Sequence, residues 1–241
     1  KPVKAENLIR QITDALLTLA RQHESPLLIG ISHTHSDLME LHAAFSETSD
    51  ALNQQKLNGP SLCSYAYNDN TPARQVVWDQ EDKFLFYVEA GNQEEIRKLT
   101  GQLFEWFCSI PSFTLHDAKY YCYYLSSQCR DILDYYLEQN STKSSGSVQN
   151  VVSRLFRIEE LRDYYLQFFL NIAEMLRPKS IYAQDDVIEN VRIYMKHNYQ
   201  KSLTQDFIAS LFYLNRSYLS TLFKQKTGMK FIDYLNDIRI E

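Results

Sequence analysis

Apolar residues recur every three or four positions through most of this chain, and two short stretches near its start read instead as strands. Leu8, Ile9, Ile12, Leu16, Leu19 and Ala20 hold helical spacing over residues 6–21, the period of an amphipathic helix. Ser25 and Pro26 break that pattern, and LLIGIS (27–32) predicts a short buried strand. Asp37 with Glu40 three positions on has the form of an N-cap and capping box for a second helix over 38–55, ending near Asn58, Gly59 and Pro60. SLCSYAY (61–67) reads as another strand and NDNTPAR (68–74) as a loop. Helix, strand, helix, strand over residues 1–78 predicts a partial α/β domain too short to close a sheet alone, with its partner strands expected upstream of Lys1.

Past Trp78 the pattern is almost purely helical: residues 80–91, 93–108, 114–138 and 158–176 each carry an apolar stripe. NSTKSSGSVQN (140–150) reads as a flexible loop and RPKS (177–180) as a linker. The expected fold class is mainly α, with a partial α/β domain at the N-terminal end and a C-terminal helix-turn-helix bundle. The expected domains are 1–78, a helical middle region with its linker over 79–180, and 181–241.

Composition narrows the function classes. Only six Gly and six Pro occur in 241 residues, which disfavours a β-sandwich or a glycine-rich nucleotide enzyme. The formal charge of −5 excludes a protein basic all over, but nucleic-acid binding needs only a local positive patch. Cys63, Cys108, Cys122 and Cys129 show no CxxC spacing and no His at zinc-finger distance, and read as free thiols of a reducing compartment. No stretch reaches the roughly 18 apolar residues of a membrane span. KPVKAENLIRQ has no signal-peptide apolar core and no initiator Met, so the sequence reads as a piece of a longer chain.

The last segment carries the chemistry. After an amphipathic helix over 185–199, SLTQDFIASLFYLNRSYLSTLFKQKTG predicts two short helices and a tight turn. Thr204 caps the first, with Asp206 in its opening turn, and Phe207, Ile208 and Leu211 face inward. Ala209 is small where two helices cross. Asn215 or Ser217 caps the second, whose inward face is Leu219, Leu222 and Phe223. Between Asn215 and Lys230 stand Arg216, Lys224, Lys226 and Lys230 and no acidic residue, while Ser217, Ser220 and Thr221 occupy the exposed front. A recognition helix needs cations for phosphates and polar groups of short reach for base edges.

Tyr218, Leu219, Ser220, Phe223, Lys224, Thr227, Gly228, Phe231, Tyr234, Leu235, Arg239 and Ile240 together make this stretch closely resemble the first half of an AraC/XylS-type DNA-binding domain. The resemblance covers about sixty residues and implies a transcription regulator that contacts duplex DNA through a helix in the major groove. It implies base contacts at Ser217, Ser220 and Thr221 and phosphate contacts at Arg216, Lys224 and Lys226. Such domains carry two helix-turn-helix units joined by a linker helix, and this sequence ends at Glu241 inside that linker. One unit implies weak and poorly specific binding.

The order of elements over 1–78 resembles, less specifically, the second half of the degenerate GGDEF-like domain of YesN-like regulators of Gram-positive bacteria, and the helical middle region matches theirs in type and place. No GGDEF loop is present. The resemblance implies a non-catalytic scaffold, an activator, a homodimer, contact with RNA polymerase, and a cytoplasmic location or the cytoplasmic portion of a membrane-anchored regulator.

Other patterns give weaker readings. His33-Thr34-His35-Ser36-Asp37 spells HxHxD, the opening of a dimetal site, but Leu38 stands where a further His is required, and a polar loop is the expected reading, with no metal or cofactor. The tyrosines of DAKYYCYYLSSQCRDILDYYLEQ are read as core and rim, including a dimer interface, over an aromatic-ligand or sugar platform. No GxSxG, GxGxxG or GxxxxGK[ST] occurs, and no enzyme is expected. The competing class is a helical protein-interaction module whose basic terminal bundle meets an acidic protein partner.

Overall fold

The strands expected near the start form a parallel pair, with Ile29 beside Leu62, Gly30 beside Cys63 and Ile31 beside Ser64. The structure is a computed structural model that describes residues 2–23, 27–57, 62–64, 74–137, 145–177, 182 and 186–240. Its elements are α1 (Pro2–Gln22), β1 (Ile29–Ile31), α2 (Leu41–Asn53), β2 (Leu62–Ser64), α3 (Glu81–Glu89), α4 (Gln93–Ser109), α5 (Leu115–Leu137), α6 (Ser145–Val152), α7 (Ile158–Leu176), α8 (Val187–Asn198), α9 (Gln205–Leu211), α10 (Arg216–Thr227) and α11 (Phe231–Ile240). The chain is mainly helical, with the small α/β portion at its N-terminal end. The helix-breaking Pro26, the stop at Asn58 to Pro60, the ends of the second strand run and residues 178–180 of the linker lie outside the described residues.

The chain divides into two units, one made of residues 1–78, 98–127 and 140–168, the other of 79–97, 128–139 and 169–241. In the first unit α2 packs on β1 and β2. Gly30 makes that approach possible, since a Cβ there would stand 2.5 Å from the Thr48 carbonyl oxygen. The aromatic core is Phe107 with Phe113 stacked at 5.2 Å and Tyr121 edge-on at 5.6 Å. Thr114 and Asp117 form a reciprocal cap for α5, with the Thr114 N–H donating to Asp117 Oδ2 (3.0 Å) and the Asp117 N–H to Thr114 Oγ1 (3.1 Å). Helix α1 forms as its periodicity predicts, yet Leu8, Ile12, Leu16 and Leu19 on its stripe remain exposed.

Two local expectations are corrected. Asp37 caps only a single 3-10 turn, Leu38–Glu40, before α2 begins at Leu41. Glu40 closes no capping box, because its carboxylate goes to His35 Nδ1 at 3.1 Å. The Ser- and Gly-rich stretch read as a flexible loop holds α6 over Ser145–Val152, while residues 140–144 lie outside the described residues. Burial of Val152, 8% exposed, supplies the tertiary contact that overrides poor local helix propensity.

In the second unit Phe84 meets Phe169 edge-to-face at 4.9 Å, and Val88, Ile96 and Ala173 are fully buried around them. An aromatic cluster centred on Phe86 joins α3 to α8 and to the end of α9: its ring lies 5.3 Å from Tyr194, 5.1 Å from Phe212 and 5.1 Å from Tyr182. Cys129 here and Cys122 of the first unit are buried thiols, and burial pushes both pKa values up.

Candidate nucleic-acid interface

Helices α8, α9 and α10 each begin on a side-chain cap. The Asp186 carboxylate accepts from the Ile188 N–H (2.9 Å) to start α8, and Thr204 Oγ1 accepts from the Phe207 N–H (3.1 Å) to start α9. Asn215, and not Ser217, starts α10, its Oδ1 accepting from the Tyr218 N–H at 2.7 Å. Gly228 ends α10 in the left-handed region at φ 74°, with its N–H on the Lys224 carbonyl at 2.9 Å.

The turn between α9 and α10 has the geometry of a Schellman stop. The Leu214 N–H reaches back to the Ala209 carbonyl oxygen at 2.8 Å, and Tyr213 takes the left-handed position at φ 55°. That position favours glycine, and a side chain there carries strain. Tyr87 of α3 braces it: the two rings stack at 6.1 Å, and the Tyr87 hydroxyl donates to the Leu211 carbonyl at 3.3 Å.

Behind α10, Leu219 and Phe223 are fully buried. Phe223 packs against Phe231 at 5.6 Å and Tyr234 at 5.4 Å, which draws α11 onto α10. Leu222 is only half-buried, as is Phe207 on α9. Arg239 closes the end of α8, donating to the carbonyls of Tyr199 and Lys201 at 3.0 Å each. Arg192 lies over the Tyr234 ring at 5.7 Å and pairs with Glu189 at 2.7 Å.

The six residues singled out for DNA contact do not share one face. Successive helical residues turn by about 100°, so Ser217, Ser220, Thr221 and Lys224 fall within one arc of about 100°. All four are exposed, with Tyr218 and Gln225 beside them. The Thr221 hydroxyl donates to the Ser217 carbonyl at 3.1 Å. Arg216 sits at the edge of the arc, paired with Asp206 at 3.1 Å. Lys226 lies on the side of α10 opposite Ser217 and pairs with Asp186 at 2.9 Å. The hydrogen bond from Lys226, with that from the Ile188 N–H, holds the Asp186 carboxyl below the usual carboxylate range. Lys224 enters no ion pair among the described residues. From Asp186 through Ile240 the sequence carries eight Lys or Arg against five Asp or Glu, a local excess of positive charge in an acidic chain.

The sequence gives no hint of Asp206 and Asp186 as partners of Arg216 and Lys226, or of Tyr87 as the brace of the turn. At the HxHxD run, His35 is held by carboxylates at both ring nitrogens, Glu40 at 3.1 Å and Glu47 at 3.0 Å. Among the described residues no group of three or more His, Cys, Asp or Glu is placed to hold a metal ion, and no helix is long and apolar enough to cross a membrane.

No family model and no solved structure matches the chain. Two curated relatives do. An uncharacterized HTH-type transcriptional regulator of Escherichia coli (strain K12), YijO, is 36% identical over 55 residues, which cover 23% of this chain and 19% of that protein. An uncharacterized HTH-type transcriptional regulator of Bacillus subtilis (strain 168), YtdP, is 21% identical over 219 residues, covering 88% of this chain and 28% of that protein. The chain therefore spans under a third of the length of either relative.

Proposed function

We propose that the chain is part of a transcription regulator and that α10 binds duplex DNA by entering the major groove. The observation that carries this reading is the exposed arc of α10. It presents three hydroxyls and the unpaired ammonium of Lys224, has no carboxylate, and is held rigid by caps at both ends and by Tyr87 behind the turn. Short hydroxyl side chains reach base edges only when the helix lies deep in the groove, and the cations hold phosphates at its rims. In this reading Ser217, Ser220 and Thr221 contact bases. Arg216 and Lys224 contact phosphates, Arg216 after exchanging the exposed Asp206 carboxylate for a phosphate oxygen, whereas Lys226, on the side of α10 opposite Ser217, stays with Asp186.

The likeness to two HTH-type transcriptional regulators supports the same reading. Its finer parts are an AraC-type domain represented here by its first unit, a GGDEF-like scaffold over residues 1–78, a helical middle region over 79–180, action as a cytoplasmic homodimeric activator that meets RNA polymerase, and no catalysis. A single recognition helix reads one groove segment, so affinity is low and mostly electrostatic.

The test is fluorescence anisotropy of labelled duplex DNA at low and moderate salt. Binding that weakens steeply with salt and is lost in Arg216→Ala/Lys224→Ala supports the assignment. No binding at low salt, together with salt-insensitive capture of an acidic protein, overturns it in favour of a protein-interaction module.

A further inference from the structure

The tyrosine-rich helix α5 presents two different faces. Tyr121, Cys122 and Leu125 are buried in the core of the first unit. His116, Lys119, Tyr120 and Tyr123, spaced three, four and seven apart, line a separate cavity of about 470 Å³ together with Asn53 of α2, Gln149 and Val152 of α6, and Tyr165 of α7. A cavity of this size and mostly apolar lining falls in the range of small-molecule sites.

Its charge balance is unusual. Lys119 brings an ammonium into the wall, and none of the residues lining the cavity is a carboxylate. The ammonium donates one hydrogen bond to Asn53 Oδ1 (2.7 Å) and lies 5.0 Å from the centre of the Phe156 ring. No Asp or Glu pairs with it among the described residues. The nearest acidic neighbour along α5, Asp117, is committed elsewhere, accepting from the backbone N–H groups of Arg74 and Thr114 at 3.0 Å each and from the Thr114 hydroxyl. An ammonium has three donors, so at least one remains for a ligand. Burial lowers the Lys119 pKa to about 8, which leaves it charged at neutral pH. An uncompensated, partly buried cation is costly, and an anion that reaches it recovers that cost.

We propose that this cavity is a binding site for a small apolar carboxylate, with the carboxylate on Lys119 and the apolar body between Tyr120, Tyr123 and Val152. His116 and Gln149 supply N–H groups on the same wall for the second carboxylate oxygen, and Ser153, whose hydroxyl donates to the Asn150 carbonyl at 3.0 Å, also lines the cavity. The site is separate from α10 and does not rest on the DNA-binding reading.

Isothermal titration of the intact chain with phenylacetate, phenylacetamide and phenethylammonium tests it, since these share an apolar body and differ in charge. The expected result is binding of phenylacetate at millimolar or lower concentration, with the amide weaker by roughly tenfold or more and the ammonium not binding. Lys119→Met should abolish phenylacetate binding and Lys119→Arg should retain it. Should Lys119→Met fail to fold, Ser153→Trp narrows the cavity without touching the buried core and should abolish binding equally. Equal binding of all three probes, no binding of phenylacetate, or unchanged binding in a folded Lys119→Met or Ser153→Trp protein overturns the proposal.

Discussion

The Tyr87 hydroxyl donates to the Leu211 carbonyl oxygen across 3.3 Å, which ties α3 to the last turn of α9 over 124 positions of sequence. Leu211 is one of the residues whose carbonyl has no partner within its own helix, and its side chain is 1% exposed, so water cannot readily replace the phenol. Burial and the neighbouring Tyr213 push the Tyr87 pKa up, so the group stays a neutral donor. Tyr87→Phe keeps the ring and the stack on Tyr213 but removes the bond. The loss should be about 1–2 kcal/mol. Native-state hydrogen exchange should show amides of α9 and α10 exchanging roughly 5 to 30 times faster. Unchanged protection there would mean that the turn holds itself.

Tyr213 takes φ 55° without being glycine, and its ring is mostly exposed on one side while stacking on Tyr87. Strain and stacking can be separated by two substitutions that both remove the ring. Tyr213→Gly relieves the left-handed backbone and Tyr213→Ala does not, so the glycine variant should be the more stable by about 1 kcal/mol. Paired thermal melts measure the difference, and an alanine variant as stable as the glycine one would show that the turn is not strained.

What the sequence discloses here is local. Thr204 announces its helix start because a cap and its amide are only three residues apart, and the structure places it as read; of the two caps open for α10, the structure selects Asn215 over Ser217. The inward positions Ile208, Leu211, Leu219 and Phe223 follow from helical period alone. Pairings that decide the electrostatics of α10 are not local. Lys226 meets Asp186 from 40 positions away and Arg216 meets Asp206 from the preceding helix, so a count of basic residues in the segment overstates how many cations face outward. Helix α6 is hidden because Ser145, Gly146, Ser147 and Asn150 are poor helix formers, while Val152 at its end is buried by tertiary packing. Glu40 reads as a capping-box residue because it stands three positions after Asp37, whereas its carboxylate serves His35, five positions before it.

His35 lies between Glu40 and Glu47, and the hydrogen bond to Glu47 contributes most to raising its pKa above 6.5. The same bond lowers the pKa of Glu47 below 4.5. A raised histidine stabilises fully below its unfolded value and loses that contribution as pH rises through its folded value, while a lowered glutamate stabilises above its unfolded value and loses it as pH falls. The pair is therefore most effective between about pH 4.5 and 6.5 and fades on either side. Titration of the His35 Cε1 resonance should give a midpoint above 6.5, and Glu47→Gln should bring it down. A midpoint at or below 6.5 would place His35 in solvent without either carboxylate.

The geometry of α10 ranks its cations. Lys224 stands inside the arc of Ser217, Ser220 and Thr221, whereas Lys226 sits on the far side against Asp186. If α10 lies in the major groove, Lys224→Ala should weaken binding to all duplexes and reduce the slope of log affinity against log salt by about one. Lys226→Ala should change that slope less, because its charge is already spent on Asp186. Asp206 competes with phosphate for Arg216, so Asp206→Asn should tighten binding even though α9 loses an acidic group from its first turn. Anisotropy titrations of the three variants on one duplex decide the order. Equal losses for Lys224→Ala and Lys226→Ala would mean that the DNA is held by the general charge of the bundle and that the arc of hydroxyls reads nothing.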